Sequence, residues 1–482
     1  MNYGIVKKVL GSLLIIEAFL MIPSYLIALA EKGPDRIPFL LTIILTALIG
    51  WILTRAKSTH DSISPKEGLA IVAVGWVAAS ILGALPLYFS GSTATYVDAF
   101  FEIVSGFTTT GATIMTDIES LPKGILFWRS FTHWIGGMGI LVFTLALLPA
   151  LGIGGFQIFK AETLGPVAGK IAPRLKDTAK ILYITYITIT LAEVVLLVFG
   201  RMSIYEAFIH TFGTVGTGGF SSRADSIGAF DSSYIHMVIA FFMVASGVNF
   251  SLYYSFFRGK PSEFIKDEEF KLYIGIIVVS TLAITVDLWF VSYHNILYSL
   301  RDSFFQVASI ITTTGYGTAN FDLWPSFSKG ILLILMFVGA SAGSTGGGMK
   351  VIRILVMFKL IKREVGKLYH PRAVMPVKIN DKVMQNETIA KINSFLALYL
   401  LIFIFSTLLV SLEQVDLVTA GSAVAATLGN VGPGLEMVGP VMNYNFFSIP
   451  TKLWLSFLML LGRLELFTII ALIAPKKWRI DV

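Results

Sequence analysis

Four short stretches rich in glycine and threonine recur about every 100 residues along the chain. They are TTGAT at 109–113, TVGTG at 214–218, TTGYG at 313–317 and NVGPG at 430–434. Rings of backbone carbonyl oxygens can replace the hydration shell of a potassium ion, and glycine adopts the backbone angles that such a ring requires. The second and third stretches each match the TVGYG filter pattern of potassium channels at four of five positions. The predicted chemistry is therefore coordination of a dehydrated monovalent cation.

The first three residues of each stretch are the predicted potassium ligands, with the central glycines forming one ring. They are Thr109, Thr110, Gly111, Thr214, Val215, Gly216, Thr313, Thr314, Gly315, Asn430, Val431 and Gly432. The first stretch has Thr113 where the others have glycine, and the fourth lacks threonine and contains Pro433. We therefore expect an unequal filter whose selectivity depends mainly on the central glycines. Close helix packing also uses glycine and threonine and is the alternative, most of all for the fourth stretch.

A short helix is predicted before each stretch, at 98–108, 204–213, 302–312 and 416–427. Crossing a bilayer takes about 20 apolar residues, so these helices must enter the membrane and return. Irregular backbone at membrane depth is tolerated only around a water-filled or ion-filled cavity, and each helix directs its negative C-terminal end at the ion. With an apolar span on either side, each becomes a helix–pore loop–helix unit. We predict four tandem repeats around a pseudo-four-fold pore, at 61–160, 161–260, 261–370 and 371–482.

Composition indicates that these repeats lie in a membrane. Of the 482 residues 55% are hydrophobic and 14% charged, with a mean hydropathy of +0.77, whereas soluble domains carry about 25% charge. Two further apolar spans occupy 1–60, so the predicted fold class is an all-α integral membrane protein with two extra N-terminal transmembrane helices. Of the 37 Lys and Arg residues, 26 lie in alternate connecting segments, which the positive-inside rule assigns to the cytoplasm. We expect ten transmembrane helices and both termini in the cytoplasm.

The span after the third stretch is interrupted by GASAGSTGGG at 339–348. Each glycine inside a helix costs about 1 kcal/mol relative to alanine, so we predict a non-helical loop at mid-membrane, where it should line the pore. The interpretation is a gate, and a close-packed helix crossing is the alternative. Arg463, near the centre of the last span, needs a partner or a cavity, and we expect carbonyl groups of this loop to provide one. The predicted gate residues are Gly343, Ser344, Thr345, Gly346, Gly347, Gly348, Lys350 and Arg463.

Other classes of function find little support in the sequence. There is no cysteine, and the six histidines have no metal-ligand spacing. The only metal expected is potassium at the filter, which is a substrate, and no cofactor is expected in this chain. No Walker motif or ATPase phosphorylation sequence occurs, so the protein is predicted not to be an enzyme. A nucleic-acid partner is not expected.

The four filter stretches, the GASAGSTGGGMK loop and the LGRLELF segment together resemble the Trk/Ktr/HKT superfamily of potassium uptake proteins. The resemblance covers nearly the whole chain from residue 68, and the extra N-terminal helix pair is similar to the TrkH type. Gly111 resembles the potassium-selective members, because a serine there is associated with sodium-permeable plant relatives.

The resemblance implies a homodimer in a bacterial or archaeal plasma membrane, with one pore in each subunit. It also implies a cytoplasmic TrkA-like ring of nucleotide-binding regulatory subunits. The basic segments 160–180 and 353–391 are candidate docking surfaces for it, and ordinary positive-inside charge is the alternative explanation of their basic residues. The loop at 339–348 and Arg463 would block the path until the ring changes shape. The expected function is gated, channel-like potassium uptake. Potassium symport coupled to protons or sodium is the alternative, although parallel repeats with every filter outside favour a channel-like pore.

Overall fold

The computed structural model describes residues 2–57, 63–139 and 175–473. These residues are largely helical, and the strands among them form one short antiparallel hairpin of β1 (Lys378–Ile379) and β2 (Lys382–Val383). The predicted all-α fold is confirmed. Most of the predicted docking segment 160–180 lies outside the described residues.

Two apolar segments precede the first repeat and pack against each other. α1 (Tyr3–Leu20) continues into α2 (Ile22–Ala30), and α3 (Arg36–Thr54) returns alongside α1. At their crossing, a methyl group added at Gly11 would lie 2.5 Å from the carbonyl oxygen of Gly50. Small residues permit this close approach. Both segments are long and apolar enough to cross a membrane, as predicted for the N-terminal pair.

The remaining helices follow in four groups along the chain. The first group is α4 (Pro65–Gly83), α5 (Leu85–Phe89), α6 (Tyr96–Phe107) and α7 (Lys123–Gly137). The second is α8 (Leu175–Phe199), α9 (Ile204–Val215), α10 (Ser233–Ser246) and α11 (Phe250–Phe257). The third is α12 (Ser262–Lys266), α13 (Glu268–Leu288), α14 (Ile296–Ile311), α15 (Ser326–Val338) and α16 (Val351–Tyr369). The fourth is α17 (Asn386–Val410), α18 (Leu417–Leu428), α19 (Ile449–Arg463) and α20 (Leu466–Ile473).

The predicted short helices are α6, α9, α14 and α18, which we call the pore helices. A polar side chain caps the start of each by accepting a backbone N–H bond, which is the usual way to satisfy a helix N-terminus. These caps are Thr95, Ser203, Asn295 and Asp416. The third pore helix is longer than predicted, since it begins at Ile296. The pore helices are therefore started by local sequence signals.

In the second, third and fourth repeats the second span is interrupted. α10 and α11 meet at 93°, and α19 and α20 meet at 114°. α15 and α16 are separated by the non-helical residues 339–350, so the predicted interruption is confirmed. The other bends were not predicted from the sequence. By length and apolarity alone, six helices of the described residues could span a membrane, or up to eight if each bent pair counts as one; the ten-span topology stays a prediction.

Candidate functional site

The loops that follow the four pore helices share one backbone conformation. Each has a non-glycine residue at φ between 54° and 59°, followed two positions later by a glycine at φ between 77° and 100°. L-residues rarely adopt such angles, whereas glycine does so without steric penalty. The paired positions are Thr109 and Gly111, Thr217 and Gly219, Thr313 and Gly315, and Asn430 and Gly432.

These four loops contact one another in a closed ring. A methyl group added at each loop's glycine would lie between 2.0 and 2.6 Å from a carbonyl oxygen of the next loop, and the fourth loop returns to the first. No side chain fits at such a distance, so glycine is required at all four positions. In order, the contacts are Gly111 to Gly218, Gly219 to Thr314, Gly315 to Val431 and Gly432 to Thr110. The carbonyl groups preceding the glycines thus converge around one axis.

The second loop differs from the prediction by three residues. α9 extends to Val215 and Gly216 keeps right-handed helical angles, so Thr214, Val215 and Gly216 belong to the end of the pore helix. Thr217, Gly218 and Gly219 occupy the equivalent loop positions. The second loop was predicted from the similarity of TVGTG to TVGYG, and the spacing from the helix cap did not enter that prediction. Gly219 lies sixteen residues after its cap Ser203, the spacing that separates Thr95 from Gly111 and Asp416 from Gly432.

Buried side chains hold the loops from behind. His133 accepts a hydrogen bond from the Phe220 N–H at Nε2 (3.2 Å), so its proton is on Nδ1, which donates to the Gly106 carbonyl (2.8 Å). The Tyr316 hydroxyl lies 3.1 Å from the Phe220 carbonyl oxygen, and the Tyr444 hydroxyl donates to the Gly432 carbonyl at 2.8 Å. These bonds tie each supported loop to a neighbouring repeat or helix and make the ring rigid.

A buried ion pair stabilises the first loop. Arg129 donates to Oε1 of Glu102 through Nη2 (2.6 Å) and Nε (2.8 Å). The same carboxylate accepts from the Thr113 hydroxyl (2.9 Å) and the Ile114 N–H (3.0 Å). Thr113 therefore contributes a side chain where the third and fourth loops have Gly317 and Gly434, which explains this departure of the first stretch. This pair was not predicted from the sequence, because its members are 27 residues apart on different helices.

Beyond the glycines, the loops surround a cavity of about 120 Å³. Gly111, Gly219, Gly315 and Gly432 lie on its wall. Nearby, Asp322 accepts the Glu436 N–H at 3.0 Å and links the third loop to the fourth. Burial raises the pKa of the Asp322 carboxyl above its ordinary value. Within the described residues, no three His, Cys, Asp or Glu side chains are grouped so as to hold a metal ion.

The interrupted span at 339–350 lies against the other side of the ring, where the residues preceding the glycines are. The Gly347 N–H donates to the Thr313 hydroxyl at 2.6 Å, and the Gly348 N–H donates to the Gly429 carbonyl at 2.9 Å. The buried Lys350 ammonium donates to the Gly346 carbonyl within the same segment. We call residues 339–350 the gate loop. It contacts the third and fourth pore loops directly.

Arg463 joins the gate loop to the first repeat. Its guanidinium donates to the Thr345 carbonyl of the gate loop (2.8 Å), as predicted, and to the Thr109 hydroxyl (3.0 Å). It also donates to the carbonyls of Gly136 and Gly137 at the end of α7 (2.6 and 3.0 Å). The first and third loops are opposite members of the ring. The gate loop and Arg463 together therefore cross the axis beneath it.

Glu465, two residues beyond Arg463, has its partner on another helix. Its carboxylate pairs with Arg353 of α16, and the Arg353 guanidinium lies 3.7 Å from the centre of the Phe395 ring. The remaining predicted gate residues, Gly343 and Ser344, lie on the side of the gate loop near Asn249 and Ser341. The structure thus brings all predicted gate residues into one assembly.

The fold and this site define a helical membrane protein with four pore-loop repeats. A family model for TrkH, described as a cation transport protein, matches residues 36–480. The Trk system potassium uptake protein TrkH of Salmonella typhimurium is 39% identical, over 99% of this chain and 100% of that protein. Escherichia coli TrkG, a Trk system potassium uptake protein, is 32% identical over 98% of both chains. The chain belongs to the TrkH family of cation transport proteins.

A solved structure has the same fold over the same length. The crystal structure of the potassium transporter TrkH from Vibrio parahaemolyticus matches with a TM-score of 0.89 and 35% identity, over 99% of this chain and 100% of that one. The predicted family is therefore confirmed. The named relatives are uptake proteins rather than enzymes, in agreement with the expected class.

Proposed function

We propose that this chain takes up potassium across the plasma membrane through one gated, channel-like pore. The observation that carries the proposal is the closed ring of four glycine loops with the gate loop and Arg463 across its axis. Potassium ligands would be the carbonyl groups of the ring, with Thr217, Gly218 and Gly219 taking the part first predicted for Thr214, Val215 and Gly216. The TrkH relatives are named as potassium uptake proteins, which supports this assignment.

The gate assignment follows from charge and geometry. A guanidinium on the path repels a permeating cation, and bonds from Arg463 to Thr109 and from Gly347 to Thr313 hold the obstruction across the ring. Opening requires these bonds to break together. The described arrangement corresponds to a closed pore in this proposal.

The wider assembly is proposed on the resemblance. We infer a homodimer with one pore in each subunit, ten transmembrane helices, cytoplasmic termini and a TrkA-like nucleotide-binding ring on the cytoplasmic side. The basic α16 and the segment that follows it to residue 391 support a docking surface there, since they contain nine Lys and Arg residues from 353 to 391.

Ion flux into liposomes containing the purified protein, with and without its cytoplasmic partner, tests the proposal. We expect rubidium to enter and sodium to be excluded, with faster entry when the partner is present. Equal entry of the two ions would contradict the filter assignment. If rubidium flux needs a proton or sodium gradient, the mechanism is symport and not a channel-like pore. If the rate of flux is unchanged when the partner is added, the regulatory role of the partner is contradicted.

A further inference from the structure

The first turn of α13 joins the cytoplasmic hairpin to the gate loop. Three consecutive acidic residues, Asp267, Glu268 and Glu269, lie at this helix start, and we call them the acidic turn. Asp267 is the N-cap and accepts the Phe270 N–H at 2.7 Å. The other bonds of the acidic turn join the helix to the gate loop on one side and to the hairpin on the other.

Glu269 points to the gate loop. It is 6% exposed, and its Oε1 atom accepts the Ala342 N–H at 2.7 Å and the Ile352 N–H at 3.1 Å. Ala342 is inside the gate loop, whereas Ile352 is in the first turn of α16. The positive end of the α16 dipole and the two backbone N–H groups favour an acceptor oxygen at this position. One oxygen therefore fixes the gate loop relative to the helix that follows it.

Asp267 and Glu268 point to the hairpin. Asn380, in the turn between β1 and β2, accepts the Glu268 N–H at 2.9 Å and donates to Asp267 at 2.8 Å. Lys359 of α16 pairs with Glu268 and donates to the Lys378 carbonyl at 2.6 Å. The hairpin is thus bonded to the residues immediately preceding Glu269.

We propose that Glu269 is a positioning residue that holds the gate loop closed, and that the hairpin at 378–383 controls it through the acidic turn. The inference rests on the proposed gate function. A displacement of the hairpin removes the Asn380 bonds from the α13 N-terminus. The first turn of α13 then loosens, and Glu269 releases Ala342 and Ile352. A cytoplasmic partner that binds the hairpin would open the pore in this way without touching the gate loop.

The test measures rubidium and sodium flux into liposomes in the absence of a partner. Glu269→Ala leaves two buried N–H groups without an acceptor and should raise basal rubidium flux about tenfold. Glu269→Gln keeps an acceptor oxygen, so it should give less than half of that increase. Glu263→Ala is the matched control, because Glu263 is an exposed glutamate of α12 that pairs only weakly with Lys260, at 3.8 Å. Its flux should equal that of the unaltered protein.

The ratio of rubidium to sodium flux separates positioning from general loosening. Glu269 does not contact the ring among the described contacts, so the ratio should stay unchanged while both basal fluxes rise. A ratio that falls in Glu269→Ala, or equal flux in the Ala and Gln variants, would overturn the proposal. Asn380→Ala should raise basal flux about threefold, and an unchanged flux would overturn the hairpin's part in it.

Arg463→Ala distinguishes failure of this inference from failure of the proposed function. If Arg463→Ala raises rubidium flux and Glu269→Ala does not, the gate stands and Glu269 has no role in it. If no variant passes rubidium under any condition, the proposed function itself fails. A melting temperature and an elution profile equal to those of the unaltered protein establish that each variant is folded.

Discussion

The two halves of the pore, on either side of the glycine ring, are built differently. Around the ring the four repeats are nearly equal: the first left-handed residues of the loops differ in φ by only 5°. Beneath the ring the second spans diverge, with bends of 93° and 114° in two repeats and a twelve-residue loop in the third.

The difference has a physical reason. A dehydrated cation needs oxygen ligands from every side, so all four repeats must contribute the same backbone geometry to the ring. Blocking the same path requires only one obstruction on the axis. In the proposed function the third and fourth repeats provide it with the gate loop and Arg463, and the other repeats are free to end differently. Damage to the ring should therefore lower uptake, whereas damage beneath it should raise basal flux.

The largest expected effect is on the stability of the ring's surroundings. Arg129→Ala leaves Glu102 buried without its charge partner, which should lower the free energy of unfolding by about 3–5 kcal/mol. Chemical denaturation in detergent measures this loss. Arg223→Ala, at a pair whose arginine side chain is 45% exposed, should lower it by less than about 1 kcal/mol. Similar losses in both variants would mean that burial of the Arg129 pair is unimportant.

The next effect concerns the corrected second loop. Gly219→Ala forces a side chain at φ 77° to within 2.0 Å of the Thr314 carbonyl oxygen, where left-handed strain alone is about 1–2 kcal/mol. Rubidium uptake should fall about a hundredfold. Gly317→Ala is the control, because its added methyl group would meet no atom closer than 3.7 Å and uptake should stay within about twofold. Full uptake by the Gly219→Ala variant would contradict the assignment of Gly219 to the ring.

A smaller effect, of opposite sign, is expected beneath the ring. Arg463→Ala removes the bonds to Thr109 and Thr345 and one positive charge from the path, so basal rubidium flux should rise about tenfold. Arg463→Lys keeps the charge but loses the planar, multiple-donor geometry, and its flux should rise less. Unchanged or lower flux in a folded Arg463→Ala variant would contradict the expectation that damage beneath the ring raises basal flux.

The smallest effect tests the rigidity of the ring. Tyr316→Phe removes a hydroxyl that lies 3.0 Å from the His210 carbonyl and 3.1 Å from the Phe220 carbonyl, a loss of about 0.5–1.5 kcal/mol. The ratio of rubidium to sodium uptake should fall about threefold. Tyr253→Phe, which removes a bond to Ala245 beneath the ring, should leave the ratio unchanged. A change of equal size in both variants would show no special role for the ring.

Much of the fold was predictable because its signals are local. Apolar length indicates spans, a capping residue starts each pore helix, and clustered glycines predicted the break at 339–348, which the structure extends to 350. Gly111, Gly315 and Gly432 were identified correctly as positions with positive φ. The second loop was misassigned because TVGTG resembles a filter pattern, and only its backbone distinguishes the helical Gly216 from Gly219.

The sequence by itself determined the membrane class, the repeats and the need for a partner at Arg463. Hydropathy, clustered glycines and a charge within an apolar span can each be recognised in a short stretch of sequence. Only the tertiary structure decided which groups Arg463 and Glu269 bind. The bonds from Arg463 to Thr109 and from Ala342 to Glu269 join residues 354 and 73 positions apart. Such contacts leave no periodic or local trace in the chain, since they depend on how the four repeats close around one axis.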